Sequence, residues 1–234
     1  MGLFSVEENK KIIKMFDKMR VTDTRDGMDW CGMMHYGTMD YGIKPLERGR
    51  KAVVGIAKTC RYVPYDGHVP FLKYEEYSKW SAMFYKEICN YPWRKDIQEG
   101  DFIVIDQSNT MVGLMGSNNA LECMVKGAVG LVSNGGVRDT DEVVIEKIPF
   151  WSRGTVQPMV QGRIKFDAMD IPVEVGGVVV NPGDVIVADG DGVIVVPRAI
   201  AADVAKWGGN EMVNDKAGRR KLYEAMGLPF DETV

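Results

Sequence analysis

Histidine and cysteine are scarce in this chain, and neither is arranged for chemistry. Among 234 residues there are two histidines and four cysteines. His35 and His68 lie apart in Gly- and Pro-rich segments, too few for a His-based metal site, and are read as structural or merely polar. Cys31, Cys60, Cys89 and Cys123 form no Cys-x-x-Cys pair, which excludes a zinc knuckle and a redox motif and leaves reduced, mostly buried thiols. Long apolar runs are missing as well; none reaches the roughly 18 unbroken residues of a membrane span. Met1 to Lys14 carries charges where a secretory signal needs an apolar stretch, so a cytoplasmic protein with no membrane partner is expected. There is no basic block either. The 29 bases and 33 acids are spread along the chain to a formal charge of -4, so nucleic acid is not expected as a direct ligand. No linker or low-complexity segment divides the chain, and at 45% hydrophobic it can bury one large core, so residues 1–234 are expected to form one domain.

What is present is patterned. Val6, Ile12, Ile13, Phe16 and Met19 recur at helical spacing over residues 6–20, and the Thr and Asp residues of Val21 to Gly27 can cap a second short helix. Lys51 to Thr59 reads as a strand, and Leu72, Trp80, Phe84 and Ile88 return to helical spacing until Pro92. From residue 99 short apolar runs alternate with Gly-Asp, Asn-Gly and Pro-Gly turns, the texture of buried strands in an α/β core. Gly100 to Asp106 and Gly183 to Asp189 both read Gly-Asp-x-Ile-Val-x-Asp, taken here as a Gly-Asp turn before a buried strand rather than a duplication. The acids of Ala188-Asp-Gly-Asp-Gly-Val193 are read as a hairpin turn, not a second metal site. Ala201 to Glu224 is helical in composition, with Arg219, Arg220 and Lys221 placed to complement the helix dipole.

The segment from Gly113 to Asp139 reads as loop, helix, strand and loop. After Gly116, the polar residues Ser117, Asn118 and Asn119 precede a helical run, so their backbone N–H groups would be the unpaired donors of a helix start, suited to a carboxylate or phosphate. Val129 to Val132 is a short strand, and Ser133 to Arg138 the loop at its end, where Gly135 and Gly136 would let backbone approach a ligand. Arg138 offers a planar fork for a carboxylate, and Asp139 a hard oxygen for a divalent cation. Another reading competes: Asp139 with Glu142 fits a capping box for a helix over 140–147, and Arg138 can pair with any nearby acid.

Lys126-Gly-Ala-Val-Gly-Leu-Val-Ser-Asn-Gly-Gly-Val-Arg-Asp139 resembles the signature of the RraA-like and 4-hydroxy-4-methyl-2-oxoglutarate aldolase family, also labelled dimethylmenaquinone methyltransferase-like. Supporting segments stand in order: Val21 to Met28, Lys44-Pro-Leu46 with Val54 to Thr59, Ile148 to Gly154, and Ile171 to Pro197. The resemblance covers residues 20–200, leaving 201–234 as a helical tail. It implies a three-layer β/β/α sandwich, swivelling-domain-like, with flanking N- and C-terminal helices, in a homotrimer or a hexamer. It further implies a divalent-metal-dependent lyase, aldolase or decarboxylase, acting on small 2-oxo acids such as 4-hydroxy-2-oxo acids or oxaloacetate. Carried over, Asp139 binds magnesium or manganese, Arg138 contacts substrate and the forming enolate, and Gly116, Ser117, Asn118 and Asn119 hold the substrate carboxylate. Ser117 departs from the family pattern, which has an acid there, and the aldolases' downstream lysine has only Arg163 and Lys165 as candidates. The alternative within the family is a non-catalytic regulator that binds a ribonuclease or helicase. A methyltransferase is not supported, because no Gly-rich strand-to-helix loop is followed by a ribose-binding acid.

Overall fold

The computed structural model describes residues 4–234, so Met1 to Leu3, part of the expected domain span, lie outside the described residues. Helix α1 (Val6–Met15) starts where Ser5 accepts the Glu8 N–H at 3.1 Å, with Glu7 and Glu8 at its positive end. It stops short of residue 20 because Lys18 is left-handed (φ 65) and Arg20 is already extended ahead of α2 (Val21–Trp30). Phe16 and Met19 are still buried, so the apolar spacing continues through the turn. Asp23 caps α2, accepting the Arg20 N–H at 2.8 Å. Then follow β1 (Lys44–Pro45), β2 (Val53–Pro64), α3 (Tyr74–Met83), β3 (Asp101–Asp106), β4 (Gly113–Met115), α4 (Ser117–Val125), β5 (Gly130–Val137), α5 (Thr140–Ile145) and β6 (Phe150–Thr155). β7 (Ile164–Met169), β8 (Val173–Val175), β9 (Val178–Val180), β10 (Val185–Asp189), β11 (Gly192–Val196) and α6 (Ala201–Met226) complete the chain.

The main sheet runs β1-β6-β5-β3-β2-β10-β11, with β4 added to the end of β5 and β7 to the end of β2. β2, β3, β5 and β6 are parallel, and β10, β11, β1 and β7 join antiparallel. Side-chain alternation sorts the layers. On one face Phe102, Val104, Val132 and Ala188 pack against Val173, Val175, Val178 and Val180 of the β8–β9 hairpin. On the other, Ile103, Ile105 and Leu131 meet Ala120 and Cys123 of α4 and Val143 of α5, while Ile56, Val185 and Val187 meet Val204 and Ala205 of α6. The protein is therefore a three-layer β/β/α sandwich with flanking N- and C-terminal helices. Its sheet curls nearly closed: the Trp151 indole N–H of β6 reaches the Asp189 carbonyl of β10 at 2.9 Å, although three strands separate them in the sheet. No helix among the described residues is long and apolar enough to cross a membrane.

The Gly-Asp repeat is turn chemistry. Gly100 (φ 89) and Gly183 (φ 94) take positive φ, Asp101 accepts the Gln98 N–H at 2.8 Å, and Asp184 accepts the Asn181 N–H at 2.9 Å. The strands that follow flank β2, one parallel and one antiparallel. Asp189 likewise serves the backbone, accepting N–H groups of Val21 and Asp191 at the β10–β11 hairpin. Three expectations need correction. β2 runs on to Pro64 because β7 pairs with its second half. Residues 133–137 belong to β5 rather than to a loop, since β6 pairs with Ser133, Gly136 and Val137 and β4 with the last two. Arg219, Arg220 and Lys221 lie above the last turn of α6, and Arg219 instead donates to the Thr233 carbonyl at 2.7 Å.

Candidate functional site

The parallel strands end together, and the short β4 brings the start of α4 beside the end of β5. β4 pairs with β5 through Gly113–Gly136 and Met115–Val137, and the Arg138 N–H donates to the Met115 carbonyl at 3.1 Å. On the opposite edge the Val156 N–H donates to the Val137 carbonyl at 2.9 Å. Arg138 and Asp139 thus leave a strand end fixed from both sides.

Asp139 stands at the N-cap of α5 in the left-handed conformation (φ 54, ψ 42), and its side chain makes no cap bond. Its carbonyl accepts the first helical bond, from the Val143 N–H at 3.1 Å, but the side chain caps nothing, so the capping box with Glu142 does not form and the carboxylate is not used by its own helix. That carboxylate lies against Gly116: a Cβ there would sit 2.2 Å from Oδ2. The stem of Arg138 crosses Gly113, where a Cβ would come within 2.5 Å of Cδ. The two glycines let the start of α4 close on the Arg-Asp pair. Arg138 Nε lies 3.4 Å from Asp139 Oδ1, a loose contact, with 34% and 40% of the two side chains exposed.

Gly116 is the extended N-cap of α4, and Ala120 is the first residue to donate within the helix, to the Gly116 carbonyl at 3.0 Å. The amides of Ser117, Asn118 and Asn119 are therefore the ones with no partner inside the helix. No acid stands in this first turn itself; the carboxylate beside its positive end is that of Asp139, against Gly116. The Asn119 side chain turns back to the Leu114 carbonyl (3.3 Å) and the Tyr91 hydroxyl (3.4 Å), which leaves its backbone amide as the group it can offer a ligand. Gly135 and Gly136 do not face a ligand as expected; they admit Gln107 and Val156, whose atoms a Cβ would meet at 2.4 and 2.5 Å.

Among the described residues no three His, Cys, Asp or Glu side chains gather to hold a metal. One half-exposed carboxylate does not make a zinc site, but it fits magnesium or manganese, which keep several waters and complete their shell with substrate oxygens. Lys165 is paired with Asp66 at 2.6 Å, and Arg163 donates to the Met159 and Gln161 carbonyls, so both candidates for the downstream lysine have local structural partners. His35 and His68 are exposed. The cysteines are free; burial pushes the thiols of Cys89 and Cys123 up to about 12, which makes them inert. Sequence reasoning missed the buried polar group beneath the site, formed by Asp106, Gln107, Ser133 and Asn134. The available signal was polar residues directly following two apolar strand runs.

The family model RraA-like, described as Aldolase/RraA, matches residues 19–195. Over 184 residues the chain is 30% identical to a Halalkalibacterium halodurans protein named provisionally as a 4-hydroxy-4-methyl-2-oxoglutarate aldolase, covering 78% of this chain and 77% of that one. It is 29% identical over 177 residues to Protein DlpA of Legionella pneumophila, covering 74% of this chain and spanning only 25% of DlpA. The crystal structure of Streptomyces coelicolor RraAS2, described as an unusual member of the RNase ES inhibitor RraA protein family, superposes with a TM-score of 0.70. That match has 24% identity and covers 89% of this chain and 96% of RraAS2, a likeness of fold.

Proposed function

The chain belongs to the RraA-like (Aldolase/RraA) family, and from that premise we propose that it is a divalent-metal-dependent carbon–carbon lyase acting on small 2-oxo acids. The observation that supports this most is Asp139: a carboxylate at a helix start that declines to cap it, held against Gly116 and beside Arg138.

The residues divide the work. Asp139 would hold a magnesium or manganese ion, which when bound supplies the Lewis acidity that stabilises an enolate as the carbon–carbon bond breaks. Arg138 presents guanidinium N–H groups to the oxygen on which negative charge grows, a contact that strengthens toward the transition state. The amides of Ser117, Asn118 and Asn119 receive the substrate carboxylate, and the dipole of α4 favours it there. Ser117 adds a hydroxyl donor where an acid would repel that anion. In the same proposal the protein works as a homotrimer or hexamer, a mass that light scattering reads directly.

The test is a coupled assay of pyruvate release from oxaloacetate and from a panel of 4-hydroxy-2-oxo acids, with magnesium, with manganese and after chelation. Release that depends on the ion supports the lyase. No release from any substrate with either ion removes it, and retention of a ribonuclease or helicase on the immobilised protein would then identify a regulator.

A further inference from the structure

We propose that Gln107, a residue with no contact to the candidate ligand groups, is the positioning residue that aligns the two halves of the site. This rests on the lyase reading for its kinetic arm only. The halves are the β4–α4 turn, with Gly116 to Asn119, and the end of β5, with Arg138 and Asp139. They are joined where β5 changes neighbours: its ladder with β3 ends at Ile105–Ser133, and its ladder with β4 begins at Gly113–Gly136. Asn134 and Gly135 lie between, in neither ladder, and the register with β6 also shifts there.

Gln107 spans this gap with its own amide group. Its Oε1 accepts the Ser133 hydroxyl at 2.7 Å, and its Nε2 donates to the Val112 carbonyl at 3.1 Å, one residue before β4. Its backbone N–H donates to Asn134 Oδ1 at 2.7 Å, and Ser133 Oγ in turn accepts the Gly135 N–H at 3.0 Å. Asn134 donates onward to Asp106 Oδ1 at 2.8 Å. Gln107, Ser133 and Asn134 are all wholly buried. The side-chain amide acts as an extra peptide unit inserted between the strands, replacing the ladder bonds that the switch removes. Gly135 has no side chain because Gln107 occupies the space; a Cβ there would meet Gln107 Nε2 at 2.4 Å and Cβ at 2.7 Å. In a buried place these bonds cannot be exchanged for water, so the geometry they set is kept.

Gln107→Ala opens a void and breaks the bonds, whereas Gln107→Met fills the space with a side chain of similar length that restores neither donor nor acceptor. Val187→Ala, in β10 against the terminal helices, is a core deletion remote from the clamp. The measurements are kcat and KM for oxaloacetate with magnesium, thermal unfolding, and amide hydrogen exchange of residues 133–139. Expected for Gln107→Ala is a kcat lower on the order of 100-fold with little change in KM, as for a misplacement of about 1 Å, and faster exchange at 133–139. Gln107→Met regains melting temperature but not kcat, and Val187→Ala lowers stability without changing kcat or that exchange. Recovery of kcat together with stability in Gln107→Met overturns the proposal, as does an equal kcat loss in Val187→Ala. If the wild-type protein releases no pyruvate, the lyase reading fails instead; the exchange at 133–139 then decides alone, and exchange unchanged by Gln107→Ala overturns the clamp.

Discussion

Asp139 shows how one residue can be costly to the fold and useful to the site. A left-handed conformation costs an L-residue roughly 1–2 kcal/mol, less for Asp, and the side chain recovers nothing by capping. Asp139→Gly should therefore leave the melting temperature unchanged or slightly raised while abolishing metal-dependent pyruvate release, a split that thermal unfolding and the coupled assay would expose together. Equal losses in both would make Asp139 a structural residue. Asp101 offers a second test at this scale. Burial pushes its carboxyl up to about 6, against the Gln98 N–H and Lys58, which act the other way. The folded state therefore holds this proton more tightly than the unfolded chain. The stability linked to it is complete below about 3.8 and is lost as pH rises through about 6. Asp101→Asn keeps an acceptor for the Gln98 N–H and removes the titration. Its melting temperature relative to wild type should climb between pH 4 and pH 7, and a constant difference would contradict the assignment.

At the scale of elements, the site depends on β4, a strand of three residues; its Gly113, and Gly116 just after it, touch the functional side chains. Gly116→Ala puts a methyl group where the Asp139 carboxylate lies, so pyruvate release should fall on the order of 100-fold. Activity within a few fold of wild type would show that the carboxylate has no need of that position. The same elements show what the residues reveal before folding. Runs such as Phe102 to Ile105 and Val185 to Ala188 are apolar on both faces and announce buried strands, and Gly-Asp announces the turn before each. Arg138, Asp139 and the start of α4 were legible because their residue types and spacing are local. β4 was not, since three residues carry no period, and neither was the extension of β5 through Ser133-Asn-Gly-Gly, which local preference assigns to a turn. Those residues are held extended by neighbours distant in sequence, Gln107 and Val156, that no window along the chain contains. Whether Asp139 caps its own helix was likewise a matter of φ and ψ, which sequence leaves open.

For the whole molecule, closure of the sheet brings β6 and β10 together across the hairpin-covered face, and Trp151 is the direct link. Trp151→Phe keeps most of the packing but removes this link, which should cost about 1 kcal/mol. Urea unfolding should show a lower midpoint at an unchanged slope, and an unchanged midpoint would mean that the curl is set by strand twist alone. The same link has an optical consequence. Of the five tryptophans, Trp30 and Trp207 face solvent, while Trp151 is 1% exposed with its indole N–H fixed to one carbonyl. The difference in fluorescence between wild type and Trp151→Phe isolates a blue-shifted emitter in the strand next to the one that ends in Arg138 and Asp139. Any ligand that tightens or loosens the strand ends would be visible as a change in its wavelength and lifetime, without a label and before any product is formed.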